Sequence, residues 1–151
     1  MYEYNFAGRV VWVTGSSTGI GRAAALAFAG CGADVVVHAN QSVAEGEEVA
    51  REIERMGRRA LLVTGDVADR GAVLKMAECV RETFGRVDVL MNNAGSLIRR
   101  VRFEEADEAI WDRVMDVNLK SVFLVSQAVL PMMKPLGKGS IINVSSIAAR
   151  S

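Results

Sequence analysis

Thr14-Gly15-Ser16-Ser17-Thr18-Gly19-Ile20-Gly21 sets three glycines in Gly-x3-Gly-x-Gly spacing between an apolar run, Val10–Val13, and a run of helix formers from Arg22 to Ala29. A buried strand that turns sharply into a helix presents free backbone N–H groups and the positive end of the helix dipole to whatever lies above it. The ligand suited to such a turn is a phosphate. Gly15 permits the turn, Gly19 lets the backbone approach a pyrophosphate, and Gly21 lets the helix pack tightly on the strand. The candidate contacts in this loop are therefore Gly15, Ser17, Thr18, Gly19, Ile20 and Gly21.

Two rival chemistries share part of the pattern. Gly15-Ser-Ser17-Thr-Gly19 also satisfies Gly-x-Ser-x-Gly, the nucleophile elbow of hydrolases. That chemistry needs an acid and then a histidine downstream; here the one histidine, His38, has only Asp34 between it and the loop. A nucleoside-triphosphate loop ends in Gly-Lys-Ser/Thr, whereas this one ends in Gly19-Ile-Gly21-Arg22, with no lysine to reach a terminal phosphate. From this segment alone, an ordinary turn remains open as a third reading.

The loop needs a scaffold, and the rest of the chain supplies a regular one. Short Val/Ile/Leu-rich runs at 10–13, 35–37, 60–63, 87–91 and 140–144 lack period-two alternation, as expected of strands buried on both faces. Amphipathic stretches lie between them. The first is expected to place Ile20, Ala24, Ala27, Phe28 and Cys31 on one face. The second opens with a capping box, Ser42-Val-Ala-Glu45, and buries Val49, Ala50, Ile53 and Met56. A third is capped by Asp69 and carries Val73, Met76, Ala77, Val80 and Phe84; a long fourth runs from about Asp107 to Met133, with Pro131 and Pro135 marking its end. Glycines at 30, 32, 57, 85 and 137 punctuate the joints. Repeated βαβ units imply a doubly wound parallel α/β sheet, and an order of 3-2-1-4-5 puts the topological switch above the glycine loop. The fifth strand, with no helix after it, is expected as an exposed sheet edge.

Composition narrows the partners. The 151 residues hold 18 Lys plus Arg against 18 Asp plus Glu, so no net field recruits nucleic acid or an anionic membrane. No apolar run approaches the ~20 residues of a membrane span, and the first residues lack a basic segment followed by an apolar one. A cytoplasmic protein is expected. Cys31 and Cys79 have no metal-ligand or redox spacing and are read as buried free thiols, and no metal site is expected.

Further along, Gly65-Asp66-Val67 follows the third strand, Asn92-Asn93-Ala94-Gly95 the fourth, Asn118 sits inside the long helix, and Asn143-Val-Ser145-Ser146 closes the fifth strand. Together with the glycine loop these resemble the classical short-chain dehydrogenase/reductase family, over about residues 8 to 151. The resemblance implies a Rossmann-type dinucleotide-binding domain over 1–151, truncated after its fifth strand. It implies that Asp66 accepts a hydrogen bond from the adenine amino group with the Val67 backbone beside it, and that Asn93, Ala94 and Gly95 line the adenosine ribose while Asn93 ties neighbouring strands together. Asn118 would open its helix locally and hold a water in a proton relay, and Ser146 would orient the substrate oxygen. Plainer roles stay open: a turn carboxylate for Asp66, turn residues for Asn93 to Gly95, and a satisfied buried amide for Asn118.

The end of the second strand bears on the cofactor. Where a carboxylate about twenty residues beyond the glycines would hold the ribose hydroxyls of NAD, this chain reads His38-Ala39-Asn40-Gln41-Ser42. With no acid to repel a 2′-phosphate and with Asn40 and Ser42 as donors, NADP(H) is favoured over NAD(H). His38 is expected to be packed and hydrogen-bonded rather than catalytic. Arg99, Arg100 and Arg102 are read as a solvated loop. The family's Tyr-x3-Lys, whose members act with the serine and the helix asparagine on a small carbonyl or alcohol substrate, is absent from the 151 residues; Tyr2 and Tyr4 stand in no such motif. The expectation is a segment of a reductase, homo-oligomeric when intact and inactive at this length. The alternative is a non-catalytic dinucleotide-binding module, or a fragment completed by a partner chain.

Overall fold

The computed structural model describes residues 4–146, which leaves residues 1–3, Tyr2 among them, and 147–151 of the expected domain outside the described residues. Five parallel strands form one sheet in the order β3-β2-β1-β4-β5: β1 Val10–Val13, β2 Asp34–Ala39, β3 Ala60–Thr64, β4 Val89–Asn92 and β5 Ser140–Asn143. This is the doubly wound α/β arrangement with its reversal between β1 and β4. Trp12 stands level with Val36 on one side and Leu90 on the other, and these three point to the same face. There they meet Val73, Met76 and Val80 of α3 (Arg70–Phe84) and Leu124, Val125 and Val129 of a later helix. Their neighbours Val11, Val13, Val35 and Val37 point the opposite way, onto Ala25 and Ala29 of α1 (Gly19–Gly30) and Val49 and Ile53 of α2 (Val43–Arg55). Both faces are covered, which is why the strands read as continuous apolar runs.

Several helix details depart from the expectations. The buried line of α1 is Gly21, Ala25 and Ala29, and Ile20 is 69% exposed. The smallest residues, not the bulkiest, face the sheet, because they allow the helix to sit closest to it. Ser42 makes no side-chain cap to α2; its backbone (φ −82°, ψ 60°) is not in the extended cap conformation, and only its carbonyl serves, accepting from the Gly46 N–H at 3.1 Å. In α2 the buried line is Gly46, Val49 and Ile53, with Met56 exposed. Asp69 does cap α3, accepting from the Ala72 N–H at 2.6 Å. Cys31 is half-buried and Cys79 is exposed on the outer side of α3, so the expectation of two buried thiols fails; both are free.

The long fourth helix is interrupted. It consists of α4 (Glu108–Met115), capped by Asp107 through the Ile110 N–H at 2.8 Å, then one π-helical turn, Asp116–Lys120, then α5 (Ser121–Met133). Pro131 lies inside the last turn of α5, and Gly137 reverses the chain with φ +64°. β5 is the outermost strand, and Ile141 and Ile142 are each 41% exposed, as expected of an uncovered edge. Among the described residues, no helix is long and apolar enough to cross a membrane.

Asp88, 7% exposed, fastens the end of the sheet far from the glycine loop. Its Oδ2 accepts from the Val10 N–H at 2.9 Å, and Arg86 donates to both carboxylate oxygens, at 2.9 and 2.6 Å. Burial works to raise the carboxyl pKa, but the Arg86 and Val10 hydrogen bonds and the nearby arginine charges outweigh it and hold the group below its ordinary value. A depressed carboxyl stabilises the fold fully above the unfolded pKa of about 4, and this contribution is lost as pH falls through the folded value. Denaturant melts on a descending pH series should therefore show a loss of stability below about pH 4 that is smaller in D88N, a variant already less stable at neutral pH.

Candidate functional site

Above the C-terminal ends of β1 and β4 the connections leave in opposite directions, and a crevice opens there. Thr14 extends β1 by one residue and donates its N–H to the Met91 carbonyl at 3.0 Å. Its Oγ1 then accepts two backbone N–H groups, from Asn93 at 2.9 Å and Ala94 at 3.0 Å. Asn93 answers in the other direction: its Nδ2 donates to the carbonyls of Thr14 at 3.0 Å and Gly15 at 3.1 Å. Gly15 (φ +61°) lies against Ala94, whose Cα a Cβ at Gly15 would approach to 3.0 Å. A Cβ added at Gly21 would collide with the Gly15 carbonyl and the Asn93 amide. Gly19 needs its glycine for φ +56°, since a Cβ there would stand in open space.

His38, 1% exposed, locks the loop from β2. Its Nδ1 accepts from the Gly15 N–H at 2.8 Å, so the ring proton sits on Nε2 and is donated to the Gly65 carbonyl at 2.9 Å. Its backbone N–H donates to Ser16 Oγ at 2.9 Å, and Ser16 Oγ donates to the Val13 carbonyl at 2.7 Å. Burial pushes the His38 pKa down, opposed by the Gly65 hydrogen bond and the Asp66 charge. Beside it, Asp66 accepts from the Ala68 N–H at 2.9 Å and from Arg113 Nη2 of α4 at 2.6 Å. Burial raises the Asp66 pKa, but these bonds and the Arg113 charge prevail, so the carboxyl titrates below its ordinary value.

The loop opens onto a cavity of about 740 Å³. Of the expected site residues, Gly15, Ser17, Thr18, Ile20, Asn40, Asp66, Val67, Asn93, Ala94 and Gly95 line it together; Gly19 and Gly21 do not, lying in and behind the loop. Asn118 stands at its border, in the π-helical turn. Its Oδ1 accepts from the Ser96 N–H at 3.1 Å, and its Nδ2 donates to the carbonyls of Ser96 at 2.7 Å and Val114 at 2.8 Å. The helix is thus opened locally at this residue. The amide is exposed, so the reading as a buried amide is set aside. Ser146 lies exposed just past β5, where Asn143 Oδ1 accepts from Asn92 Nδ2 at 2.9 Å.

The residues that fit an anionic dinucleotide are those of α1. Thr18 makes no side-chain cap and the first turn holds no acidic residue, so the helix N-terminus faces the cavity with no carboxylate of its own. Sequence reasoning missed Arg113, which reaches Asp66 across 47 positions of sequence, and the part His38 plays as an anchor of the loop. No local motif signals either, because both depend on tertiary structure bringing distant segments together.

A profile of the short chain dehydrogenase family matches residues 9–151. The chain belongs to the short-chain dehydrogenase family. It is 43% identical over 145 residues to an uncharacterized oxidoreductase of Thermotoga maritima, a match covering 95% of this chain and 56% of that protein. Among solved structures it resembles L-sorbose reductase of Gluconobacter frateurii complexed with NADPH and L-sorbose, at TM-score 0.92 and 36% identity over 98% of this chain and 56% of that one. It also resembles a 7α-hydroxysteroid dehydrogenase complexed with NADH and 7-oxoglycochenodeoxycholic acid, at TM-score 0.92 and 30% identity over 100% and 59%. The chain thus spans a little over half the length of these relatives.

Two outcomes follow from this geometry. In G21A the loop or Asn93 must shift, costing about 1–3 kcal/mol in chemical denaturation. For His38, a folded pKa below the unfolded value of about 6.5 means that the unfolded chain binds more protons between the two. Stability therefore falls as pH is lowered from about 6.5 toward the folded value, then levels; H38N, which does not titrate there, should flatten that slope.

Proposed function

We propose that residues 1–151 are the dinucleotide-binding domain of an NAD(P)(H)-dependent oxidoreductase acting on a small carbonyl or alcohol substrate. The single observation that carries this reading is the uncapped, acid-free N-terminus of α1 opening onto a cavity whose other walls hold Asp66 and the Asn93–Gly95 turn. The glycine loop with Ser17, Thr18 and Ile20 holds the pyrophosphate, Asp66 and Val67 the adenine, and Asn93, Ala94 and Gly95 the ribose. A nicotinamide dinucleotide held there would supply hydride transfer to or from a substrate carbon. Ser146 orients the substrate oxygen, and Asn118 keeps the α4–α5 helix open beside it. The 151 residues contain no Tyr-x3-Lys to move the proton, so this length binds cofactor without turning it over. Family membership and the dinucleotides in the L-sorbose reductase and 7α-hydroxysteroid dehydrogenase structures support this assignment.

NADP(H) is the favoured cofactor. Asn40, Gln41 and Ser42 line the cavity where β2 ends, and none carries a negative charge to repel a 2′-phosphate. The exposed line Leu119, Phe123 and Leu130 supports a homo-oligomer in the intact protein, and the absence of a spanning helix among the described residues is compatible with a cytoplasmic location. The open face of β5 favours, as a second reading, a binding module completed by a partner chain.

Calorimetric titration of the chain with NADPH and NADH tests the assignment. NADPH should bind more tightly, N40D should weaken NADPH by about tenfold or more while sparing NADH, and no NADPH should be oxidised. Binding of neither dinucleotide would refute the function.

A further inference from the structure

Arg113 takes no part in the roles assigned above, yet it lines the cavity and reaches Asp66. The geometry points to Arg113 as a positioning residue that makes the adenine end of the site selective for a purine bearing an exocyclic amino group; this inference rests on the cofactor reading above. Asp66 is fixed at two points: the Ala68 N–H holds Oδ1 at 2.9 Å and Arg113 Nη2 holds Oδ2 at 2.6 Å. A carboxylate has about four acceptor positions, so two remain to face a ligand. With both oxygens tethered the plane of the carboxylate cannot swing, and with a guanidinium against it the group stays ionised. It then only accepts. A purine offering an N–H there is bound, and one offering a carbonyl oxygen meets two lone pairs and is rejected. Without Arg113 the carboxylate keeps a single tether on its own turn, and it can rotate away from the repelling oxygen or take up a proton.

The pair also joins the Gly65–Val67 turn to α4, so a purely structural role is the rival explanation. The two differ in what they do to selectivity. NADH and nicotinamide hypoxanthine dinucleotide, which carries a carbonyl oxygen in place of the amino group, are titrated into the full chain by calorimetry, with a thermal melt of each variant as the control for folding. Wild type should prefer NADH by about tenfold. R113Q should bring that ratio to about threefold or less, by weakening NADH and relieving the rejection of the carbonyl analogue, and R113K, which keeps a charged donor, should restore most of it. An unchanged ratio in R113Q, an equal loss for both ligands, or tighter NADH binding would overturn the inference while leaving the cofactor assignment standing. A wild-type chain that binds neither NADPH nor NADH would bring down the cofactor assignment, and this inference with it. D66N supplies a second check. An asparagine can turn its amide to suit either base, so its ratio should fall as far as that of R113Q; a ratio still at the wild-type value would also overturn the inference.

Discussion

Thr14 and Asn93 close the seam between β1 and β4 with side-chain hydrogen bonds just where the backbone ladder runs out. One hydroxyl accepts two N–H groups of the β4 exit, and one amide returns two bonds to the carbonyls of the β1 exit. A parallel pair whose connections diverge has no turn to hold its ends together, so the polar pair takes that place. The rest of the crevice takes its position from this seam: Gly15 against Ala94, Gly21 against the Gly15 carbonyl, and hence the aim of α1.

The charges around the crevice are arranged with equal economy. His38 is kept neutral by burial and uses both ring nitrogens, one toward the glycine loop and one toward the third strand's exit. Asp66, one residue beyond its partner Gly65, is kept ionised by Arg113 and by the Ala68 N–H. The neutral ring adds no charge beside the glycine loop, and the one carboxylate lining the cavity is matched by the Arg113 guanidinium, which leaves the helix N-terminus able to receive an anion.

Much of this was legible in the sequence. Apolar runs without alternation gave the five strands to within a residue or two, and their alternation with amphipathic stretches gave the sheet order, because right-handed crossovers leave few choices. The loop residues declared themselves through glycine spacing. What stayed hidden depends on depth and distance. The buried face of α1 was misjudged by weighing bulk, when the tight approach at Gly21, Ala25 and Ala29 rewards the absence of it. Ser42-x-x-Glu45 had the letters of a capping box without the backbone to use it. Cys79 sits among apolar residues in sequence yet on the outer side of its helix. The Arg113–Asp66 pair has no sequence signature at all, since it exists only once the turn after β3 comes within reach of α4.

The π-helical turn at Asp116–Lys120 has a consequence for how this fold can vary. Relative to a regular helix it holds one residue too many, and one residue is about 100° of rotation. The Ser121 N–H reaches back to the Asp116 carbonyl, and Ser121 Oγ donates to the Val117 carbonyl, so the extra residue is accommodated rather than merely tolerated. Everything after it is phased to that offset: Leu124, Val125 and Val129 meet the sheet only because the turn has already rotated them into place. Deleting a residue there would straighten the helix and swing that apolar line off the core, so the opening around Asn118 is kept in register by residues that never touch it.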